Sequence, residues 1–268
     1  MKNGSANADS ERFQSEADKY AAYLETPEGG LRLDLAFVNL QEFLPQDTAS
    51  LRALDLGGGT GAIAVRLARL GLHVTLLDSS VPMLDFAKRA AHEAGLAEKI
   101  ALEQGDAAQL ANLFQAASFD VILCHNILEY MDDPAALLQG TARALRGPSA
   151  ILSVLVRNRA GEVLKSAVQD GDLAAAERNL TAEWGHESLY GGSVRLFTAE
   201  SLQPMLAAAS LTVTAERGIR VMSDYLPSQI SRSGEYDRIF DLECKLGKRP
   251  EFAAVARYTQ YLTRCAYP

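Results

Sequence analysis

The stretch "LRALDLGGGTGAIAVRLARLGLHVTLLDSS", residues 51–80, sets the tightest limit on how this chain can fold. An apolar run at strand spacing leads into glycines at 57, 58, 59 and 61, then an amphipathic run at helical spacing, then a second apolar run ending at Asp78. Strand, tight turn, helix and strand make a βαβ unit, whose two strands lie parallel with the helix crossing one face. Glycines at the strand-to-helix junction reach backbone angles closed to other residues and leave no side chain over a ligand that packs on the turn.

The alternation continues beyond this unit. Strand patterns at "RALDL", "HVTLLD", "KIALEQ", "FDVILCH" and "AILSVLV" are separated by helical patterns over 61–70, 81–94, 107–115 and 134–146. This predicts an α/β fold, doubly wound, with a mostly parallel seven-stranded sheet covered on both faces. Two helical patterns come first, over 11–24 and 31–43, with "TPEGG" read as the break between them. Segment 171–197, with Gly171, Gly185, Gly191 and Gly192, interrupts the rhythm and reads as an insertion. "TAESLQPMLAAAS" reads as a helix capped by Thr198, with Glu200 or Ser201 in its first turn. Strand patterns near 211–221 and 253–265 close the chain around a helix over 234–246.

Composition narrows the function classes. With 268 residues and 48% hydrophobic content, the chain is expected to form a single domain around one core. Cys124, Cys244 and Cys265 are odd in number and far apart, which suits neither a disulfide framework nor a zinc site. "MKNGSANADSERFQSEADKY" has no apolar stretch, and no later run approaches the ~20 residues of a bilayer span. A soluble, cytoplasmic protein is expected. The net charge of −8 and pI near 5.1 argue against a general nucleic-acid coat, though arginines gather late in the chain.

The glycine turn and Asp78, about 20 residues beyond the first glycine, suit an adenosine-type ligand whose ribose hydroxyls the carboxylate accepts. The turn lacks the Gly-Lys-Ser/Thr of a triphosphate loop. "DLGGGTG", with Asp55 two positions before Gly57, resembles the first motif of class I S-adenosylmethionine-dependent methyltransferases. That resemblance implies a Rossmann-like sheet and S-adenosylmethionine as cofactor. It places Asp55, Gly57, Gly58, Gly59 and Gly61 at the motif and Asp78 with Ser79 at the ribose. Asp106, Ala107 and Ala108 then flank the adenine, and His125 with Asn126 faces the methyl group. It also divides the chain into an N-terminal helical cap (11–45), a cofactor-binding half (46–157) and an acceptor-side half (158–268).

Further pieces resemble the bacterial tRNA 5-carboxymethoxyuridine methyltransferases: "GGLR" at 29–32, "HNILEYMDDP" at 125–134, "GIRVMSDYL" at 218–226 and "DLECKLGKRPEFAAVARY" in the tail. This resemblance implies methyl esterification of a carboxylate on a tRNA wobble uridine and assigns Arg32 to the cofactor's carboxylate. That family carries lysines in the insertion, whereas this chain reads "AEWGHESLYGGSVRLF". An ionised carboxylate needs no general base and no metal. No Asn-Pro-Pro-Tyr motif, which would suit a planar amino acceptor, follows the fourth strand. Arg157, Arg195 and Arg220 are the candidates for holding the acceptor, from their places near strand ends or the insertion. Trp184 and Tyr190 read as hydrophobic anchors of the insertion, and Asp132 and Asp133 as caps before Pro134. Two other readings stay open: a methyltransferase for a small-molecule acid or hydroxyl, and a cofactor-binding protein without transfer activity.

Overall fold

The computed structural model describes residues 16–187, 189 and 191–266. Five parallel strands form the first part of the sheet: β1 (Arg52–Leu56), β2 (His73–Asp78), β3 (Ile100–Gln104), β4 (Val121–His125) and β5 (Ile151–Arg157). After a small hairpin of β6 (Trp184–His186) and β7 (Ser193–Arg195), β8 (Leu211–Ile219) and β9 (Tyr258–Cys265) complete it. The order is β3-β2-β1-β4-β5-β9-β8, and β9 runs antiparallel to both neighbours. The winding reverses between β1 and β4, so a crevice opens at their carboxyl ends.

Burial on both faces explains the near-continuous apolar strands. Leu54, Leu56, Ile122, Leu152 and Val154 pack on one face against Leu137, Leu138, Leu202 and Leu206. Ala53, Val74, Leu76, Leu123 and Ile151 pack on the other against Ile63, Leu67, Ala87 and Ala91. The fully buried Ser153 and Gln260 are polar exceptions in adjacent strands. Gln260 Nε2 donates to Ser153 Oγ (2.9 Å) and to the Ala36 carbonyl (3.0 Å), and its Oε1 accepts from Asn39 Nδ2 (3.0 Å). This network ties the N-terminal helix Pro27–Gln41 to the sheet beside the crevice.

Several boundaries differ from the sequence reading. The break between the first two helices falls at Glu25–Thr26, at the start of "TPEGG" rather than across all of it: Thr26 accepts from Gly29 N and Pro27 takes the first helical position, so the second helix begins there. Of the 11–24 pattern, residues 11–15 lie outside the described residues, and the helix spans Ala17–Leu24. The last strand starts at Tyr258, because residues 250–257 fold as a short helix and turn, with Asn158 Nδ2 donating to the Ala254 and Ala256 carbonyls. The segment 107–115 tightens to a 3₁₀ turn and one short helix, Leu110–Leu113. Thr198 caps Ala199–Ala208 reciprocally with Ser201, and Asp133 caps Pro134–Ala144, as their sequence positions imply.

Candidate active site

The glycine turn owes its residues to two different constraints. Gly57, Gly59 and Gly61 have φ of +62°, +54° and +75°, the left-handed region that costs other residues free energy. Gly58 is instead a packing glycine: a Cβ there would lie 2.6 Å from Leu76 Cγ and 2.8 Å from Asp55 Oδ2. Asp55 therefore sits beneath the turn. Burial, then the charge of Asp78, pushes its carboxyl up to about 7, and its Oδ2 has no hydrogen-bond partner among the described residues. Asp78 braces the turn from the side, its Oδ2 accepting from Gly59 N (2.9 Å) and its Oδ1 from Ser80 N (2.8 Å). The Ser79 backbone is a third donor to this carboxylate, which still leaves acceptor capacity for a ligand hydroxyl.

A cavity of about 400 Å³ opens over this turn at the carboxyl ends of the strands. Gly57, Gly59, Asp78 and Ser79 line one side, with Asp106 and Ala107 from the loop after β3 next to them. Tyr20 and Tyr23, from helix Ala17–Leu24, close over the turn; a Cβ on Gly59 would come within 3.4 Å of Tyr20. A larger side chain at Gly59 would fill this cradle.

The end of β4 carries the polar floor. Asn126 has φ +53°, which turns its side chain between two partners: Oδ1 accepts from Arg32 Nη1 (3.1 Å) and Nδ2 donates to Glu129 Oε1 (3.0 Å). Arg32 also donates to Tyr20 Oη (3.0 Å). Glu129 is buried and accepts from the backbone of Arg157 (2.9 Å), while its Oε2 has no partner among the described residues. Burial pushes this carboxyl up despite those donors. His125 Nε2 pairs with Ser153 Oγ (2.8 Å); burial, then the nearby Arg32, lowers its pKa to about 3, so the ring is neutral at physiological pH.

Beyond β4 the cavity wall is built of arginines. Arg32, Arg157, Arg220 and Arg257 place their Cζ atoms 5.7, 5.8, 5.8 and 6.0 Å from the ring centroid of Tyr258. Three of them are braced by buried carboxylates. Arg220 donates to Asp224 Oδ1 through Nε (2.8 Å) and Nη2, and to Tyr23 Oη through Nη1. Arg157 pairs with Glu187, and Arg257 Nη1 donates to Glu162 Oε2 (2.5 Å). Strand pairing creates this convergence, because Tyr258 lies opposite both Arg157 of β5 and Ile219 of β8, one residue before Arg220.

The structure thus brings Arg32, Gly57, Gly59, Asp78, Ser79 and Asp106 into one cavity, together with Ala107, His125, Arg157 and Arg220. Asp55, Gly58, Gly61 and Ala108 do not line it. Asp55 and Gly58 pack against each other under the turn, Gly61 packs on Ala87, and Ala108 is exposed, its amide donating to Asp106. Arg195 does not line it either: its guanidinium stacks 4.6 Å from Trp184. Trp184 is 47% exposed, so it is no interior anchor of the insertion; Tyr190 lies outside the described residues. Sequence reading missed Glu129, Arg257 and Tyr258. Glu129 and Tyr258 stood inside the quoted motifs "HNILEYMDDP" and "EFAAVARY", but nothing local marks them as cavity residues. Among the described residues no metal-binding cluster occurs, and no helix is long and apolar enough to cross a membrane.

A seven-stranded sheet in this order, with a glycine-lined cavity at its switch point, defines a Rossmann-like methyltransferase. The family profile described as a methyltransferase domain matches residues 47–210, so the chain belongs to that family; it is an S-adenosylmethionine-dependent enzyme. The chain is 27% identical to the tRNA 5-carboxymethoxyuridine methyltransferase of Escherichia coli K12 over 94% of its own length and 95% of that protein. It is 31% identical to the ubiquinone biosynthesis O-methyltransferase of Xanthomonas axonopodis pv. citri, over 60% of its length and 70% of the relative. Among solved structures, an S-adenosylmethionine-dependent methyltransferase from Thermotoga maritima superposes with a TM-score of 0.62 at 15% identity, covering 95% of this chain and 99% of that one. Geranyl diphosphate C-methyltransferase from Streptomyces coelicolor, in complex with S-adenosyl-L-homocysteine, gives 0.55 at 16% identity, covering 85% and 78%.

Proposed function

We propose that the enzyme esterifies a carboxylate, and that this carboxylate is the one carried by 5-carboxymethoxyuridine at the wobble position of tRNA. The cluster of arginines around Tyr258 carries the proposal, because an anionic acceptor is what braced guanidinium groups recognise best. The likeness to the Escherichia coli tRNA enzyme over nearly the whole of both chains supports it, since it extends well past the methyltransferase domain into the strands that supply those arginines. A tRNA acceptor also places the protein in the cytoplasm.

In this reading the turn of Gly57 and Gly59 receives the cofactor's backbone-facing side, Asp78 accepts from its ribose, and Asp106 and Ala107 flank its adenine. Arg32, held by Asn126 and Tyr20, pairs with its amino-acid carboxylate. Bound S-adenosylmethionine supplies an activated methyl group, which forms a C–O bond to the acceptor as the C–S bond breaks and leaves its electron pair on sulfur. The residues around the acceptor orient it and exclude water; none has to take a proton, because the acceptor arrives ionised. A neutral His125 with a pKa of about 3 is a poor proton acceptor, which fits this chemistry. Esterification also removes the acceptor's charge, so the arginine wall holds substrate more tightly than product.

The net charge of −8 means that any grip on tRNA comes from local groups, and the exposed Trp184 stacked with Arg195 offers one for an unpaired base. The test is incubation with labelled S-adenosylmethionine and either tRNA bearing 5-carboxymethoxyuridine or a pool of free carboxylic acids, with mass analysis of the products. Ester on the tRNA is expected, and its formation should slow steeply with salt. Turnover of free acids alone would replace tRNA with a small acid as the acceptor. Methylation of a hydroxyl in preference to either would remove the carboxylate reading.

A further inference from the structure

Tyr258 holds an unusual position. The residue is 5% exposed and lines the cavity, and its hydroxyl, which is not among the fully buried unpaired side-chain atoms, is open to that cavity rather than tied to a neighbouring side chain of the described residues. A hydroxyl open to a cavity and not engaged by the protein is free to donate to whatever occupies that cavity. The surroundings define what kind of ligand. Arg157, Arg220 and Arg257 converge on the ring from β5, from the residue after β8, and from the residue before β9; their attachments to Glu187, Asp224 and Glu162 keep them from swinging. A phenol among guanidinium groups is a strengthened donor facing a positive wall, and the complementary group is an anion with more than one acceptor oxygen.

We propose that the Tyr258 hydroxyl donates a hydrogen bond to the carboxylate of the methyl acceptor and, with the surrounding arginines, fixes which of its oxygens faces the methyl group. The inference rests on the carboxylate reading above and adds to it the residue that orients the acceptor. A carboxylate held only by cations can rotate among them. One directional O–H donor removes that freedom, and orientation of this kind is what brings a nucleophile to near-attack geometry.

Charge around the ring gives an independent readout. Burial raises the phenol's pKa, but the guanidinium groups of Arg157, Arg32, Arg220 and Arg257 outweigh it and bring it below its ordinary value. Tyr23, from the helix over the cavity, and Tyr130, after β4, also feel its charge, and the carboxylates of Glu187, Asp224 and Glu162 lie behind the arginines that face it. A tyrosinate can neither donate to a carboxylate nor sit beside one without repulsion, so acceptor binding is lost as pH rises through the lowered pKa.

The test compares the wild-type enzyme with Tyr258→Phe, which keeps the ring and its arginine contacts and removes only the hydroxyl. The substrate is tRNA bearing 5-carboxymethoxyuridine, and calorimetry with S-adenosylhomocysteine monitors the folded cofactor site. The variant is expected to bind S-adenosylhomocysteine as the wild type does, and to lose roughly tenfold to a hundredfold in kcat/KM for the tRNA, as for one hydrogen bond to a charged group. The wild-type kcat/KM should fall on the alkaline side below pH 10, and that limb should be missing in the variant. A variant within twofold of wild type overturns the role of Tyr258 while leaving carboxylate esterification standing. If Tyr258→Phe does not fold, the wild-type profile decides: kcat/KM level up to pH 10 overturns the proposal. A wild-type enzyme that forms no ester at all overturns both this inference and the reading beneath it.

Discussion

Asp55→Asn isolates the electrostatic cost of keeping a carboxyl group under the glycine turn. The Asp55 carboxyl is pushed from an ordinary value of 3.8 up to about 7, first by burial and then by the charge of Asp78. Between those values the unfolded chain has released the proton and the folded chain still holds it. The folded state therefore binds more protons, and its stability falls as pH rises from about 4 to about 7, then levels off. At 1.36 kcal/mol per unit, the cost is about 1.5 kcal/mol at pH 5 and about 4 kcal/mol at pH 8. The asparagine amide does not titrate, so this slope disappears in the variant, although the buried amide costs about 1–3 kcal/mol if it finds no partner. That second cost does not depend on pH, and contributions from titrating groups other than Asp78, whose charge faces Asp55, are common to both proteins. The stability of Asp55→Asn relative to wild type should therefore improve by about 2.5 kcal/mol between pH 5 and pH 8. Urea unfolding of the cofactor-free proteins at the two pH values measures this directly. Parallel pH dependences for the two proteins would refute the argument, by showing that Asp55 is already ionised in the folded state.

Arg32→Ala should weaken S-adenosylhomocysteine at least about tenfold while sparing adenosine, because in the proposed role Arg32 pairs with the amino-acid carboxylate; calorimetry that finds both ligands weakened equally would contradict that assignment. Gly58→Ala should destabilise the fold by about 1–3 kcal/mol, since its methyl group would press on the branch carbon of the fully buried Leu76 and on Asp55. Denaturation showing no loss would mean that the space beneath the turn is not the constraint. Gly59→Val should instead leave a folded chain with no cofactor binding, because Gly59 faces the cavity, and retained binding in calorimetry would count against the cradle.

Local chemistry alone determined a good part of this protein. The strands Arg52–Leu56 and His73–Asp78 fall where their apolar runs fall, because a parallel strand buried on both faces has to be apolar throughout. The glycine turn, the cap at Thr198 and the place of Asp78 at a strand end follow likewise from backbone angles and spacing of a few residues. At "TPEGG" the local signal for a helix start is present in Thr26 and Pro27, but two adjacent glycines outweigh it in a reading by residue type. The division of labour within the turn was beyond sequence: Gly58 differs from Gly57 and Gly59 only because Leu76, from the neighbouring strand, lies beneath it with Asp55. Position near strand ends singles out Arg157 and Arg220, but the meeting of four arginines around one ring was hidden for the same reason. Arg32, Arg157, Arg220 and Arg257 are scattered over more than 220 residues, and each looks like an ordinary surface arginine in its own neighbourhood. They meet at Tyr258 because β9 inserts antiparallel between β5 and β8, and that pairing is set by packing across the whole sheet.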